Sequence, residues 1–219
     1  MALAIDTSTG ASDLTGSATS LTWSHTCTGS DLVLFVSAAT NGNSDRISGI
    51  TYNGVAMTRV PTNGFVGDGS TQPVSSYMYY LINPATGAHN VVISVPGNSS
   101  NISGDSMSYT GAYQVSQPDS SAKNNGSGAT LALTTTVVAS GCWLLSTFMN
   151  LNARSAPGGT TGRGANGMTV DSNGTVSTGS NTHTWGGSAG SAATGIIVSI
   201  APVPTPVTAR RRALLGVGL

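Results

Sequence analysis

Three histidines (His25, His89, His183), two cysteines (Cys27, Cys142) and eight aspartates are the residues of this 219-residue chain that could do acid–base, nucleophilic or metal chemistry. None of the histidines stands in a His-x-x-x-His or Cys-x-x-Cys setting, so no zinc spacing exists and neither metal nor cofactor is expected. Glutamate is absent, and no spacing singles out a working pair of aspartates. Gly104-Asp105-Ser106-Met107 has the letters of a serine-nucleophile block, but that chemistry needs a strand-to-helix elbow and an Asp-x-x-His partner. His183 is preceded at that spacing by Ser180. Gly162-Arg-Gly-Ala-Asn-Gly167 matches a dinucleotide-loop pattern by letter only, since no helix follows. Asn41-Gly-Asn-Ser-Asp45 alternates oxygen side chains as calcium loops do, yet has one carboxylate and no closing glutamate. The expectation is that the chain is not an enzyme.

Two other groups could act by contact. Trp23, Trp185, Tyr80 and Tyr113 could stack on the apolar face of a sugar, although such residues more often fill a core or lie between subunits. Cys27 and Cys142 sit near the starts of two apolar strands. If those strands begin at the same end of the fold they could form a disulfide, worth about 4–5 kcal/mol on the entropic account; otherwise they are two free, buried thiols.

The elements that must position these residues are strands. Lys123 is the only lysine, and the surface is left to Ser, Thr, Gly and Asn, which is no way to cover helices. Asp31–Ser37, Tyr77–Ile82 and Cys142–Met149 are apolar on both faces and should be central strands. Asn90–Val95 and Ser106–Thr110 alternate, the latter with Met107 and Tyr109 inward against three hydroxyl residues. Asn53-Gly54 between two strand segments has the positive-φ preference of a type I′ hairpin turn. Eight or more strands without helices imply an all-β fold, an antiparallel β-sandwich of jelly-roll-like architecture. The expected division is an N-terminal arm over residues 1–14, a sandwich over 15–201 and an extended C-terminal arm over 202–219. Residues 152–167, rich in glycine, should form a long surface loop.

That C-terminal arm combines a Pro-spaced stretch, expected to run as polyproline II, with Arg210, Arg211 and Arg212 and then Leu214, Leu215, Val217 and Leu219. Three guanidinium groups followed by an apolar stripe suit docking onto another molecule through charge-assisted bonds and a hydrophobic groove. The formal net charge is zero, so no long-range field steers the body to nucleic acid. No apolar run is long enough for a membrane helix, and the first six residues lack the features of a secretory signal. Synthesis in a host cytosol with release in a particle is the expected history.

Ile50-Thr-Tyr-Asn-Gly-Val-Ala-Met-Thr58, Tyr77-Met-Tyr-Tyr-Leu-Ile-Asn-Pro-Ala-Thr-Gly-Ala-His-Asn-Val91, Tyr109-Thr-Gly-Ala112 and Pro118-Asp119 resemble a β-sandwich module of tailed-bacteriophage and environmental bacterial sequences. The resemblance runs over roughly Thr15 to Ala201 and is similar in style to head-decoration and fibre proteins. It implies a virion structural protein, a decoration or cement protein that binds capsid or other virion proteins through its termini and assembles as a homo-oligomer, with a trimer the natural closed ring. The alternative it leaves open is a carbohydrate-binding or adhesion module of a phage tail or cell surface. An exposed, coplanar Trp185 and Tyr113 would favour a surface glycan as partner; burial would favour assembly.

Overall fold

The computed structural model describes residues 2–42, 44–61, 65–67, 74–97, 100–150, 152 and 154–204. In chain order its strands are β1 (Ala4–Ala18), β2 (Ser20–Cys27), β3 (Val33–Asn41), β4 (Gly49–Tyr52), β5 (Val55–Ala56), β6 (Thr58–Arg59), β7 (Val66–Gly67), β8 (Val74–Ile82), β9 (Gly87–Ser94) and β10 (Ser100–Thr110). They continue with β11 (Ser120–Gly126), β12 (Thr130–Val137), β13 (Trp143–Asn150), β14 (Thr161–Arg163), β15 (Thr169–Asp171), β16 (Gly179–Gly186) and β17 (Ala193–Ile200). Every strand pairing is antiparallel.

Two kinds of burial pattern set the layers. β2 and β12 alternate strictly between exposed and buried residues, so each has solvent on one face. β3, β13 and β17 are buried almost throughout, so both faces are covered. The sheets run β2-β9-β4-β5, β1-β10-β3-β8-β6 with β7 also on β8, β11-β17-β13-β15-β14, and β12-β16. They stack as four layers with an apolar core in each gap. The first core holds Trp23, Leu34, Val36, Tyr77 and Ile93. Between the two central sheets lie Phe35, Met78, Met107, Tyr109, Leu145 and Val198. Leu133, Leu144, Phe148, Trp185 and Ile197 form the third core. The pleat explains the sorting, because Leu34 and Val36 point to one side of β3 and Phe35 to the other.

The orders β1-β10-β3-β8 and β2-β9-β4-β5 are those of a jelly roll with strands β1, β2, β3, β4, β5, β8, β9 and β10 in sequence. The second half repeats the plan. β11-β17-β13-β15 matches the first order, and β12-β16 matches β2-β9. Ser155, bridged to Gly186, stands where Gly49 of β4 pairs with Ser94. The registers agree residue by residue: Cys27 faces Gly87 as Val137 faces Gly179, both glycines at positive φ (98° and 101°). The chain is therefore two stacked jelly-roll sandwiches, where the sequence reading expected one.

Three expectations need correction. Residues 1–14 are not an arm: from Ala4 onward they are part of the longest strand, pairing with β10 from Ala4↔Thr110 to Asp13↔Ile102. Polar alternation disguised it as a tail. Cys27 and Cys142 form no disulfide; they are free and buried in the first and third cores, with two sheets between them. Residues 152–167 are not all loop, since β14 lies among them. The Asn53-Gly54 turn is as expected, with φ of 50° and 74° and Tyr52 opposite Val55. Residues 205–219, hence Arg210, Arg211, Arg212, Leu214, Leu215, Val217 and Leu219, lie outside the described residues.

Candidate functional site

Ser106 and His25 do come together. β10 and β2 face each other across the first core, and the Ser106 Oγ lies 2.9 Å from His25 Nδ1 while accepting the Trp23 Nε1–H at 2.9 Å. On the far side of the ring, His25 Nε2 lies 3.0 Å from Ser108 Oγ, and Ser108 donates to Asp6 at 2.7 Å. Because Ser108 gives its proton to the carboxylate, it accepts from Nε2–H; Nδ1 is then an acceptor, with the hydroxyls of Ser106 at 2.9 Å and Thr9 at 3.1 Å as its donors. The network joins Trp23, Ser106 and Thr9 to one side of His25 and Ser108 and Asp6 to the other. Burial lowers the His25 pKa from 6.5 to about 4, against the opposing pull of Asp6. The ring is a neutral, enclosed hydrogen-bonding unit. Ser106 and His25 are both fully buried, so this serine meets no substrate in this conformation.

A second such unit sits in the other sandwich. Trp185 Nε1 donates to Ser146 Oγ at 3.1 Å, and Ser146 lies 2.8 Å from His183 Nδ1. Burial lowers the His183 pKa as well, with Asp171 opposing. Each unit ties an outer sheet to a central one. Asp6 and Asp119 are likewise matched: Asp6 accepts from Thr28 N and Ser108 Oγ, Asp119 from Val138 N and Ser199 Oγ. The hydroxyl bond from Thr28 to Asp6 is shorter still.

Polar links also cross between the sandwiches. Asp105, the middle residue of the Gly-Asp-Ser letters, is fully buried and accepts from Ala165 N, Asn166 N and Asn166 Nδ2 at 3.0–3.1 Å and from Thr169 Oγ1 at 3.2 Å. Burial pushes its carboxyl above the ordinary range, and these donors offset that only in part. Tyr109 donates to Asp171 at 2.9 Å, and Arg163 pairs with the same carboxylate at 2.7 Å. Burial, then Asp171, push the Tyr109 phenol well above its ordinary range. Ser37–Thr169 and Ser76–Thr194 contacts at 2.6 and 2.8 Å complete the seam. Sequence reasoning missed these roles; the clue was that Ser37 and Ser76 sit in largely apolar strands, whereas Asp105 lies in the mostly polar β10 and gave no such signal.

The aromatic platform is not formed. Trp23 and Trp185 are core residues, Trp185 only 1% exposed and stacked on Phe148 at 5.1 Å. Tyr80 packs against the central core and Tyr113 against the third, so the four do not share a face. Burial raises both cysteine thiols. Among the described residues no group of three or more His, Cys, Asp or Glu could hold a metal, and no helix is long and apolar enough to cross a membrane.

Among the described residues, three clefts with polar groups at their borders open at the surface. One cleft of about 330 Å³ is bordered by Ser44, Asp45, Arg46, Ser48 and Arg59. Another of about 240 Å³ lies at the junction of the sandwiches, between Ser12 and Ser103 on one side and Met149 and Arg154 on the other. A shallow third, about 450 Å³, follows Thr51, His89 and Asn90 on the outer sheet. Compared with known proteins, the chain matches no family model, no curated protein and no solved structure.

Proposed function

We propose that this chain is a structural protein of a bacteriophage particle, a decoration or cement protein of the capsid exterior. In this reading the double sandwich is a rigid body and the arm that grips the shell starts later than the expected residue 202, because Pro202 is bridged to Ala112 and Val203 N donates to the Gly111 carbonyl at 2.9 Å. The observation that carries it is where the reactive side chains are placed: Asp6, His25, Asp105, Ser106, Ser146, Asp171 and His183 all hold sheet to sheet or sandwich to sandwich. A protein whose hydroxyl, imidazole and carboxyl groups are committed to stiffening suits a load-carrying role. The jelly-roll strand order is in keeping with it, since capsid domains use this fold, although lectins and other proteins do too and fold alone does not set function. Burial of Trp23 and Trp185 speaks against the stacked-sugar alternative.

Removal of residues 205–219 should leave the sandwiches folded and abolish incorporation into particles, read by co-sedimentation with assembled capsids. Simultaneous Arg210→Glu, Arg211→Glu and Arg212→Glu should lower incorporation at least tenfold. Normal incorporation of both variants would overturn the docking role.

A further inference from the structure

β16 has an open edge where its counterpart in the first sandwich has none. On the side of β9 away from β2, β4 pairs from Gly49↔Ser94 to Tyr52↔Val91, with Ile50 and Tyr52 fully buried between the half-exposed Gly49 and Thr51. In the second sandwich that pairing begins at Ser155↔Gly186, whose backbone groups exchange bonds at 2.9 and 3.0 Å, and then stops. Two residues on, in the place in the order that Thr51 holds, comes Pro157, which has no N–H to give. The chain turns off there, Thr160 Oγ1 donating to the Pro157 carbonyl at 2.7 Å. Gly186 points its backbone groups away from β12, so by the alternation of an antiparallel ladder Thr184 and Thr182 do the same. Among the described residues no strand meets them on that side, and both are exposed. Nor is the edge guarded. The edge strands β11 and β14 carry Lys123 and Arg163, whereas β16 holds no lysine, arginine, carboxylate or proline.

The chain carries a segment of the missing kind. β4 reads Gly49-Ile-Thr-Tyr52, and outside the described residues Leu215-Gly-Val-Gly-Leu219 has the same rhythm of apolar and small residues. Laid antiparallel on β16, as β4 lies on β9, it sets Gly216 and Gly218 at the hydrogen-bonding positions beside Thr184 and Thr182. Leu215 and Val217 then fall on the side of Trp185 and His183, both buried. Direction decides whose strand it is. The body ends at the Gly179 end of β16: Ser199 and Val138 both bond Asp119, and Val137 faces Gly179. An antiparallel strand enters at the Gly186 end. A chain's own tail would have to run the length of β16 and double back, whereas a neighbour's need not. We propose that residues 215–219 of one copy add a strand to the open edge of β16 in a second copy, a β-augmentation that links copies head to tail. This deepens the docking reading of the arm by naming where its apolar end goes.

The test uses the full chain without particles. A Gly218→Cys chain mixed with a Thr182→Cys chain is oxidised; residues opposed in a hydrogen-bonded pair stand about 5.5 Å apart at Cα, within reach of a disulfide. A covalent dimer should form at least tenfold faster than with Thr22→Cys, an exposed position on the outer sheet of the first sandwich. Light scattering should show the unaltered chain self-associating, and Gly218→Pro or Val217→Asp should weaken that association at least tenfold. Thr182→Pro removes an N–H that faces the open edge and should weaken it equally. A chain that stays monomeric, cross-linking no faster than the Thr22→Cys control, or association untouched by Gly218→Pro would each overturn the proposal. Loss of association in Thr182→Pro but not in Gly218→Pro would mean that β16 meets β16 instead. Should Thr182→Pro not fold, Gly218→Pro and the cross-linking decide it. Self-association without incorporation into particles would sink the cement role and leave this inference standing; incorporation of a chain that never self-associates would do the reverse.

Discussion

His25 links the buried hydrogen-bond chain of the first sandwich to pH. Its pKa in the folded protein, about 4, lies below the ordinary 6.5 because burial penalises the imidazolium more than Asp6 favours it. The unfolded chain therefore binds this proton more readily: the stabilisation is full above pH 6.5 and is lost as pH falls from there through 4. The shift corresponds to roughly 3 kcal/mol once complete. Urea midpoints recorded between pH 7 and pH 4 should fall more steeply for the wild type than for His25→Gln. Equal slopes would mean that the ring is not held neutral. Much of this was illegible in the sequence. Ser106 and Ser108 read as the wet side of an alternating strand because serine is ordinarily exposed, yet they face the first core while Met107 and Tyr109 face the second. Only a further layer beyond Met107 makes both sides dry.

At the level of strands, the two sandwiches bring their sheets together over a glycine in the same place. Gly104 of β10 faces Ala38 of β3, and Gly195 of β17 faces Phe148 of β13. An added Cβ at Gly104 would meet Trp23 at 2.6 Å and Ile93 at 2.8 Å; at Gly195 it would meet Leu133 and the Thr147 carbonyl, both at 2.8 Å. Trp23 is tethered through Ser106 and a ladder carbonyl cannot retreat, so neither neighbour yields easily. Gly104→Ala and Gly195→Ala should each destabilise by about 1–3 kcal/mol in urea unfolding. Gly49→Ala, with nothing within 4 Å, should be near neutral. If all three behave alike, the close approach of the sheets is not what these glycines serve. Strand types were readable from alternation and apolar runs, and the Asn53-Gly54 turn from its chemistry. The repeat was not: Trp23-x-His25-x-Cys27 and Leu133-x-Thr135-x-Val137 share only an inward rhythm, which many different side chains satisfy.

Across the whole molecule, composition announced an all-β chain, but a continuous apolar strand such as Val33–Val36 fits the middle of one sandwich as well as the seam between two. The seam is built like a core: Phe35, Met78, Met107 and Tyr109 are fully buried, with Leu145, Ile196 and Val198 in the same cluster. Asp105, Ser37 and Ser76 add polar bonds from the first sandwich to Asn166, Thr169 and Thr194 of the second. Separating the halves would bare that apolar face and strand the Asp105 carboxylate without its donors. The covalent link between β10 and β11, residues 111–119, should therefore be dispensable once folding is complete. Val115 in it is 76% exposed, a suitable place to insert a protease site. After cleavage there, size-exclusion chromatography should return one species of undiminished mass, and calorimetry a single unfolding transition. Two separating fragments, or two transitions, would show that each sandwich keeps its own stability and that the body is jointed at the seam, which a load-carrying role on a particle would not tolerate.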